Sequence, residues 1–479
     1  MFEIYFNLIE DSRILAALFI MLYALAAVCA IRELMTSRTA QGTIAWLLSL
    51  IFLPFPTAFL YLAFGWKYMG DYAALQAFSG RKNRAKRVRE MGIADEITSS
   101  EWPVLSNITQ MPFLGGNKSE LLIDGQATFD SIFAGICEAK SIILVQFYTI
   151  KSDKLGNRLA QILIEKAKAG LNVMVIYDDI GSSKLSKSYI SALKQAGVKV
   201  NAFNQQHKFL RIYGPMRINY RNHRKIVVVD NKKAWVGGHN ISVDYLGENP
   251  KFGHWRDTHV CVHGPAALSC ALVFREDWEW ATGEKLNFGL PEIEKPRDET
   301  VLVMPTGPAD KLEDCAIAFS EVISRARKRL WIVSPYFVPG VDVQTALYGA
   351  ALRGVEIRIL LPEKADHTLV WLASYAHADK MLEHGIPIYR YNKGFLHQKI
   401  ILIDDEIAGV GTVNFDNRSF SINFEVTLWF THKRMIANIE KMLIDDFSQS
   451  SATTRDELKK RPLWFRIAAQ FARLFSPTL

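Results

Sequence analysis

The chain has 479 residues, of which 49% are hydrophobic and 22% charged, and its formal net charge is +8. This composition excludes an intrinsically disordered chain and allows two to four domains of roughly 100–200 residues each. The positive charge suggests an anionic partner such as a membrane surface, a nucleic acid or a phosphorylated substrate. The five cysteines are scattered, without the spacing of a disulfide framework or a metal site.

Two apolar stretches near the N-terminus predict a transmembrane hairpin over residues 1–68. Residues 14–31 carry no charge, and residues 44–64 are interrupted only by Ser49, Thr57 and two prolines. Each stretch is about long enough to cross the ~30 Å hydrocarbon core of a bilayer. A cleaved signal peptide fits poorly because no basic region precedes the first stretch. A buried soluble hairpin is disfavoured because membrane helices tolerate prolines that soluble helices do not.

Basic residues around the second stretch predict the orientation of the hairpin. The loop between the stretches has two, Arg32 and Arg38, whereas seven lie between residues 65 and 89. The positive-inside rule therefore places the part of the chain after the hairpin in the cytoplasm. We interpret residues 69–114 as a basic juxtamembrane linker.

From residue 115 onward, short β-rich runs alternate with amphipathic stretches of helical period, which is typical of an α/β fold. The order of these elements then recurs. "SIILVQFY" in the first half corresponds to "LWIVSPYF" in the second, and "AKAGLNVMVIYD" corresponds to "AALRGVEIRILLP". The sequence therefore predicts an internal duplication, with a first repeat over residues 115–295 and a second over residues 296–450.

Each repeat contains a unit of the form His-x-Lys-x4-Asp. "HRKIVVVD" begins at His223 and "HQKIILID" at His397, and an asparagine follows ten residues after each aspartate. The uninterrupted apolar run predicts a strand buried on both faces. Alternation along the strand puts His223 and Lys225 on one side, about 6–7 Å apart. A lone buried histidine is usually a core residue, but the whole unit occurring twice indicates a site.

The residue types in this unit suit a phosphodiester. Lysine is a compact cation and the asparagine amide donates hydrogen bonds, so two copies supply two of each around one anion. One histidine can attack phosphorus while the other protonates the leaving alkoxide and later deprotonates the incoming alcohol. The lysines supply the positive charge, so we expect no metal and no cofactor. A two-step exchange needs both histidines, which explains why the unit occurs twice.

The paired motifs resemble those of the phospholipase D superfamily, and the hairpin, the repeats and the "KRPLW" tail are together similar to the bacterial cardiolipin synthases. The resemblance implies an α/β fold in which two tandem phospholipase D-like repeats form a pseudo-two-fold α/β/α/β/α sandwich with one site at their interface. It implies transfer of a phosphatidyl group between two phosphatidylglycerol molecules, giving cardiolipin and glycerol through a phosphatidyl-histidine. It also implies a multi-pass protein of the bacterial inner membrane, with phosphatidylglycerol and cardiolipin as partners and no nucleic acid. Whether the protein forms a homo-oligomer is left open.

The resemblance also assigns roles to individual residues. It implies that His223 is the nucleophile, that His397 is the general acid and base, and that Asp257 and Glu425 orient the two histidines. The residues implied to be catalytic are His223, Lys225, Asp230, His397, Lys399 and Asp404. The residues implied to bind the substrate phosphate are Lys225, Asn240, Lys399 and Asn414. The position of both motif aspartates at a strand end favours a role in the turn over contact with substrate. The second repeat has Thr412 where the first repeat has glycine, so the second half of the site has an additional hydroxyl group.

Two questions remain open from the sequence. A phospholipase D-type hydrolase or a nuclease would use the same paired site, because this chemistry cuts any phosphodiester. In the amphipathic C-terminal tail, residues 451–479, one helical face carries Leu463, Ile467, Phe471 and Leu474. The tail is either an in-plane helix on anionic lipid or a helix docked on the catalytic part.

Overall fold

The computed structural model of the chain describes residues 2–36, 40–65, 84–88, 90, 92, 97, 98, 101–203, 220–286, 294–310 and 312–479. The N-terminal helices form one compact unit, and both repeats with the C-terminal segment form the other. Much of the predicted basic linker lies outside the described residues.

The N-terminal unit consists of α1 (Phe2–Thr36), α2 (Ala40–Phe52), α3 (Pro54–Leu60) and a π-helical turn, Tyr61–Gly65. Among the described residues, only Arg13–Thr36 is a helix both long and apolar enough to span a bilayer.

The second apolar stretch is helical but broken at Leu53, where φ is −134° and ψ is 61°. Pro54 explains the break, because proline lacks an N–H and disfavours helical geometry in the residue before it. α1 packs against both α2 and α3. The apolar helix α1 supports association with a membrane, while two complete spans stay a prediction.

Two short helices precede the first repeat, α4 (Arg84–Val88) and α5 (Pro103–Thr109). The elements of the first repeat are β1 (Leu114–Ile123), α6 (Asp124–Glu138), β2 (Ile142–Phe147), α7 (Lys154–Lys168), β3 (Asn172–Asp178), α8 (Lys187–Gln195), β4 (Lys199–Phe203), β5 (Ile226–Val229), β6 (Lys233–Gly237), β7 (His254–Arg256), β8 (Thr258–His263) and α9 (Pro265–Thr282).

The second repeat has the elements β9 (Glu299–Thr306), α10 (Asp314–Arg325), β10 (Arg329–Val333), β11 (Phe337–Val338), α11 (Val341–Leu352), β12 (Glu356–Pro362), α12 (Thr368–Glu383), β13 (Ile388–Tyr391), β14 (Gly394–Leu396), β15 (Ile400–Ile403), β16 (Ile407–Gly411), β17 (Phe415–Asp416), α13 (Asn417–Ser421), β18 (Glu425–Phe430) and α14 (Lys433–Ser448). The C-terminal segment adds β19 (Ser450–Thr453), α15 (Arg455–Lys460), α16 (Leu463–Arg473) and a 3₁₀ turn, Ser476–Thr478.

Hydrogen bonds join the strands of both repeats in the order β19-β13-β12-β10-β15-β16-β18-β9-β1-β8-β6-β5-β2-β3-β4. Apart from β19, the two halves of this order correspond strand by strand about the antiparallel β9–β1 pair. Two short parallel pairs among the described residues, β11 with β17 and β7 with β14, lie outside it. The mixed α/β fold of two repeats is thus as predicted, and the β9–β1 pair shows that their strands are joined.

The central strands form a rigid support because their sequences are apolar on both faces. All residues of β2, β5 and β15 are buried, as the uninterrupted apolar runs predict. α7 packs one apolar stripe on the first-repeat core. It begins after Asp153, whose carboxylate accepts the N–H groups of Leu155 and Gly156 at 3.1 Å. The segments that precede β5 and β15 are therefore held on a well-packed base.

The buried side chain of Asn117 fastens the junction between the repeats. Its Nδ2 donates to the carbonyl of Glu299 on β9 at 3.1 Å and to that of Leu114 at 2.7 Å. Its Oδ1 accepts the N–H of Ala266, at the start of α9, at 2.8 Å. One side chain therefore satisfies backbone groups of three elements where the β1–β9 pairing is irregular.

We expect Asn117→Ala to lower the free energy of unfolding by about 1–3 kcal/mol, because buried backbone groups lose their partners. Ser119→Ala, two residues along β1, is the matched control, because its buried hydroxyl has no hydrogen-bond partner among the described residues. The control should change stability by less than about 1 kcal/mol. Thermal unfolding of the detergent-solubilised variants measures both, and equal midpoints would contradict this role of Asn117.

Candidate active site

The motif histidines and lysines lie immediately before two strands. His223 and Lys225 precede β5, and His397 and Lys399 precede β15, so they are not within the strands as predicted. All four are buried. The apolar residues that follow them form the strands, and the polar side chains gather at the N-terminal ends.

Each histidine segment is hydrogen-bonded to a segment of the other repeat. The His223 N–H donates to the carbonyl of the residue before Glu425 at 2.9 Å. Correspondingly, the His397 N–H donates to the carbonyl of the residue before Asp257 at 2.8 Å. The parallel pairing of β7 with β14 extends the second contact. These contacts bring each acidic residue to the histidine of the opposite repeat.

The side chains form crossed histidine–carboxylate pairs. Nδ1 of His223 lies 2.9 and 3.0 Å from the two carboxylate oxygens of Glu425, and Nδ1 of His397 lies 2.7 Å from Oδ2 of Asp257. Both carboxylates are fully buried. Because Nδ1 faces the acid, Nε2 is the nitrogen that each ring can offer to a substrate. The resemblance implied both acids as partners of the histidines, but the sequence carried no sign that each one contacts the histidine of the other repeat.

The two acids are held differently. Thr412 Oγ1 donates to Oε2 of Glu425 at 2.5 Å, and Asn423 Nδ2 donates to Oε1 at 3.2 Å. The position in the first repeat that corresponds to Thr412 is Gly238, where an added Cβ would lie 1.9 Å from Oδ1 of Asp257. The glycine thus leaves room for one carboxylate, and the predicted additional hydroxyl holds the other.

Each lysine reaches back to the histidine of its own repeat. Nζ of Lys225 donates to the carbonyl of His223 at 2.7 Å. Nζ of Lys399 donates to the carbonyl of His397 and lies 2.9 Å from Nδ1 of that ring. Two buried lysine amines therefore accompany two buried imidazoles. Burial holds the pKa of Lys225 well below its ordinary value, and an anion bound here would favour the charged form of both lysines.

The two motif asparagines have unlike surroundings. Oδ1 of Asn240 accepts the N–H of Thr149 at 3.0 Å, and Nδ2 donates to the hydroxyl of Tyr245 at 2.7 Å. In contrast, Oδ1 of Asn414 is buried without a hydrogen-bond partner among the described residues. The predicted pair of equivalent phosphate donors is therefore unequal, because Asn240 already orders the neighbouring backbone.

The motif aspartates do not join this cluster. Asp230 accepts the backbone N–H groups of residues 140–142, and Asp404 accepts those of residues 327–329, all at 2.8–3.0 Å. Both have left-handed backbone, with φ of +53° and +49°, in the turns after β5 and β15. These contacts favour a structural role for both aspartates: each ties a turn to the start of a neighbouring strand, as its position at a strand end indicated.

Aromatic rings line both histidines, and sequence reasoning did not identify them. The ring centroid of Tyr148 lies 5.1 Å from that of His223. Those of Trp255 and Phe395 lie 5.2 and 5.9 Å from that of His397. Their spacing in the sequence could have identified two of them. Trp255 and Phe395 each lie two residues before a site residue, and alternate residues of an extended segment share a side.

Two family models match the chain. The one described as "Cardiolipin synthase, PLD-like domain" matches residues 132–253 and 319–447, and the one described as "Phospholipase_D-nuclease N-terminal" matches residues 22–66. Cardiolipin synthase A of Pseudomonas putida strain W619 is 40% identical over 468 residues, which cover 96% of this chain and 97% of that protein. The chain belongs to the cardiolipin synthase family.

Further comparisons agree with this family assignment. Cardiolipin synthase A of Pseudomonas aeruginosa strain LESB58 is 39% identical over 474 residues, covering 97% of this chain and 96% of that protein. The crystal structure of phosphatidylserine synthase from Haemophilus influenzae Rd KW20 has a TM-score of 0.59 at 15% identity and covers 79% of this chain and 99% of that one. That structural likeness shows a shared fold. The family predicted from the paired motifs is confirmed.

Burial and like charges set the proton affinities in this cardiolipin synthase family member. Burial lowers the pKa of His223 to about 4, and the charge of Lys225 acts in the same direction. Burial and the charge of Lys399 hold the pKa of His397 well below its ordinary value. Burial lowers the pKa of Lys399 to about 8. Near pH 7 both imidazoles are therefore neutral, and an anion beside the lysines would favour protonation of a neighbouring histidine.

The two acids differ in proton affinity as well as in contacts. Burial raises the pKa of Asp257. Burial also acts to raise the pKa of Glu425, but the neighbouring His223 and Lys225 outweigh it and lower the pKa. Glu425 is thus the more firmly ionised of the two carboxylates.

These values predict a bell-shaped dependence of kcat/KM on pH. Activity should rise as pH increases through about 4, where His223 loses its proton. It should fall at higher pH as His397 and Lys225 lose protons, because burial holds both pKa values well below the ordinary ones, with a last step at about 8, where Lys399 loses its charge. A pH–rate profile with phosphatidylglycerol in mixed micelles measures both limbs. Lys399→Arg should weaken activity but remove the step near pH 8, because arginine stays charged. A step near pH 8 that persists in that variant would contradict the assignment.

Proposed function

We propose that the protein is a cardiolipin synthase that transfers a phosphatidyl group from one phosphatidylglycerol to another through a phosphatidyl-histidine, giving cardiolipin and glycerol. The observation that carries this proposal is the pair of crossed histidine–carboxylate contacts beside two buried lysines. Its chemistry fits the printed name of relatives that are 39–40% identical over nearly the whole chain.

In the first step, Nε2 of His223 attacks the phosphorus of one phosphatidylglycerol. The N–P bond forms and the bond from phosphorus to the glycerol oxygen breaks. His397, which takes up a proton when the anionic phosphate binds beside it, gives that proton to the glycerol oxygen. In the second step, neutral His397 takes the proton from a hydroxyl of the second phosphatidylglycerol. That oxygen bonds to phosphorus, the N–P bond breaks, and His397 is left protonated for the next cycle.

The unlike acids support this division of labour. Positive charge develops on His223 when it attacks, and the more firmly ionised Glu425 stabilises that charge. Asp257, whose pKa is raised, holds a proton on His397 less strongly, which makes His397 the better proton donor.

The lysines stabilise the phosphorane-like transition state. Lys225 and Lys399 place two ammonium groups at the same site, where a charge buried with its anion is worth far more than in water. We propose that Asn414 adds a hydrogen bond to a phosphate oxygen, and that Asn240 contributes through the backbone that it orders. Positive charge from the lysines makes a divalent metal unnecessary for this chemistry.

A hydrolase or a nuclease with the same site is the alternative. An apolar N-terminal helix and a cardiolipin synthase family match favour a lipid donor and acceptor. We further propose a multi-pass inner-membrane protein with a cytoplasmic catalytic part, organised as hairpin 1–68, linker 69–114, repeats 115–295 and 296–450, and tail 451–479. The excess of basic residues after the second apolar stretch supports that orientation.

We expect His223→Ala and His397→Ala each to lose at least about 10³-fold in turnover, because each removes a group that acts in both steps. A phosphatidyl donor with a nitrophenol leaving group separates their roles, since that leaving group needs no proton. His397→Ala should then release about one equivalent of nitrophenol and retain a phosphatidyl group on His223, whereas His223→Ala should release none.

Peptide mapping of the trapped protein locates the label, and a label on His397 would reverse the two roles. His384→Ala, an exposed histidine at the end of α12, is the control and should keep full activity.

Purified protein in phosphatidylglycerol bilayers should form cardiolipin and glycerol in preference to phosphatidic acid. The exchange replaces one phosphodiester by another, and a second lipid in the same bilayer is at high effective concentration. Lipid mass spectrometry measures the products, and added glycerol should drive the reaction backwards. Phosphatidic acid as the main product would show a hydrolase instead.

A further inference from the structure

The C-terminal helix α16 has two apolar sides. One side packs against α12: Phe465, Ala469 and Ala472 are buried, and the ring of Phe465 meets those of Tyr375 and Trp371 edge-on at centroid distances of 5.2 and 5.6 Å. The helix is therefore docked on the second repeat, which is one of the two arrangements left open by the sequence.

The opposite side of α16 carries a second row of apolar side chains. No described part of the protein covers this row. Its side chains are 43–69% exposed and comprise Leu463, Trp464, Ile467, Phe471, Leu474 and the following Phe475. At 100° per residue these positions centre on the side of the helix away from α12. So large an exposed apolar row is typical of an interaction surface.

Positive charge borders this row. Residues 459–479 contain five basic residues and no acidic residue. Arg466 and Arg473 lie on the flank between the buried and the exposed apolar sides, and Lys459 and Lys460 lie just before the helix. An apolar row beside basic side chains fits the surface of an anionic bilayer, where apolar groups enter the headgroup boundary and cations meet phosphates.

The segment after α16 is tied to an element that leads out of the active site. The amide of Asn417 donates to the carbonyl of Ser476 at 2.9 Å, and the N–H of Arg418 donates to Leu479 at 2.8 Å. Both residues lie in α13, which begins three residues after Asn414. On the other side, α12 begins two residues after Asp366, whose charge acts on His397 and Lys399. α16 is thus fixed relative to the site through two neighbouring elements.

We propose that α16 is an in-plane membrane-docking helix whose exposed apolar row enters the headgroup region of an anionic bilayer and holds the second repeat, with its active-site residues, close to that surface. This inference rests on the proposed function, because it presumes substrates that stay in the bilayer. It assigns a second membrane contact, separate from the N-terminal helices.

The docking is tested on the full chain in phosphatidylglycerol-containing nanodiscs. A fluorophore is attached to a cysteine at Ile467, or at exposed Gln161 on α7 as the control, after Cys137→Ser removes the exposed native thiol. Lipids brominated in the upper acyl chain should quench the Ile467 label at least twofold more than the Gln161 label. Equal quenching at both positions would overturn the proposal.

The consequence for catalysis is tested with the double variant Ile467→Asp/Phe471→Asp. Its activity on phosphatidylglycerol in bilayers should fall at least tenfold, while activity on a monomeric short-chain phosphatidylglycerol stays unchanged. Leu352→Asp, at an apolar residue 89% exposed on α11, is the matched control and should keep both activities. An equal loss on both substrates would overturn the docking role.

The two proposals fail in different ways. If the unsubstituted protein makes no cardiolipin from either substrate, the proposed function is wrong. If it does, and the double variant retains bilayer activity, only the membrane-docking role of α16 is wrong. A change from dimer to monomer in the double variant, measured by light scattering in detergent, would instead identify a second copy of the chain as the occupant of the apolar row.

Discussion

The hydrogen bond that links each histidine segment to the acidic segment of the other repeat is the contact on which the site depends. The backbone contact at 2.8–2.9 Å sets the distance, and the side-chain contact at 2.7–3.0 Å follows from it. Because Nδ1 of each ring faces a buried carboxylate, the orientation of each ring is fixed and Nε2 is left available to a substrate. The β9–β1 pair provides the frame, since it fixes the two repeats in the register that the crossed contacts require.

Approximate two-fold symmetry gives two similar half-sites, and local substitutions make them chemically unlike. One half-site has Glu425 hydrogen-bonded to the Thr412 hydroxyl. In the other half-site, the corresponding residues are Asp257 and Gly238. The difference is small in atoms but acts in a buried site, where contacts with fixed dipoles and charges shift proton affinity strongly. A reaction with a nucleophile and a separate proton carrier benefits from such inequality.

Much of this arrangement could be predicted from the sequence. The repeated His-x-Lys-x4-Asp unit located both strands and both buried histidines, because apolar runs and motif spacing are local properties. The crossing of Glu425 to His223 was not predictable, since the two residues are 202 positions apart and their contact depends on how the repeats associate. The difference between the surroundings of Asn240 and Asn414 was not predictable for a similar reason. The partner of Asn240 is the N–H of Thr149, which lies on a different segment of the chain. In the N-terminal unit, composition predicted a long second helix, but Pro54 outweighed hydropathy and broke it.

The crossed contacts also bear on why both repeats lie in one polypeptide. Two identical single-repeat subunits related by a true two-fold axis would be obliged to carry the same acid beside both histidines. Covalent fusion removes that obligation, because each copy of the gene segment can then vary alone. The pairing of Glu425 with one histidine and Asp257 with the other is a difference that a dimer of identical subunits cannot hold. Duplication thus supplies a second set of functional groups and the freedom to specialise them.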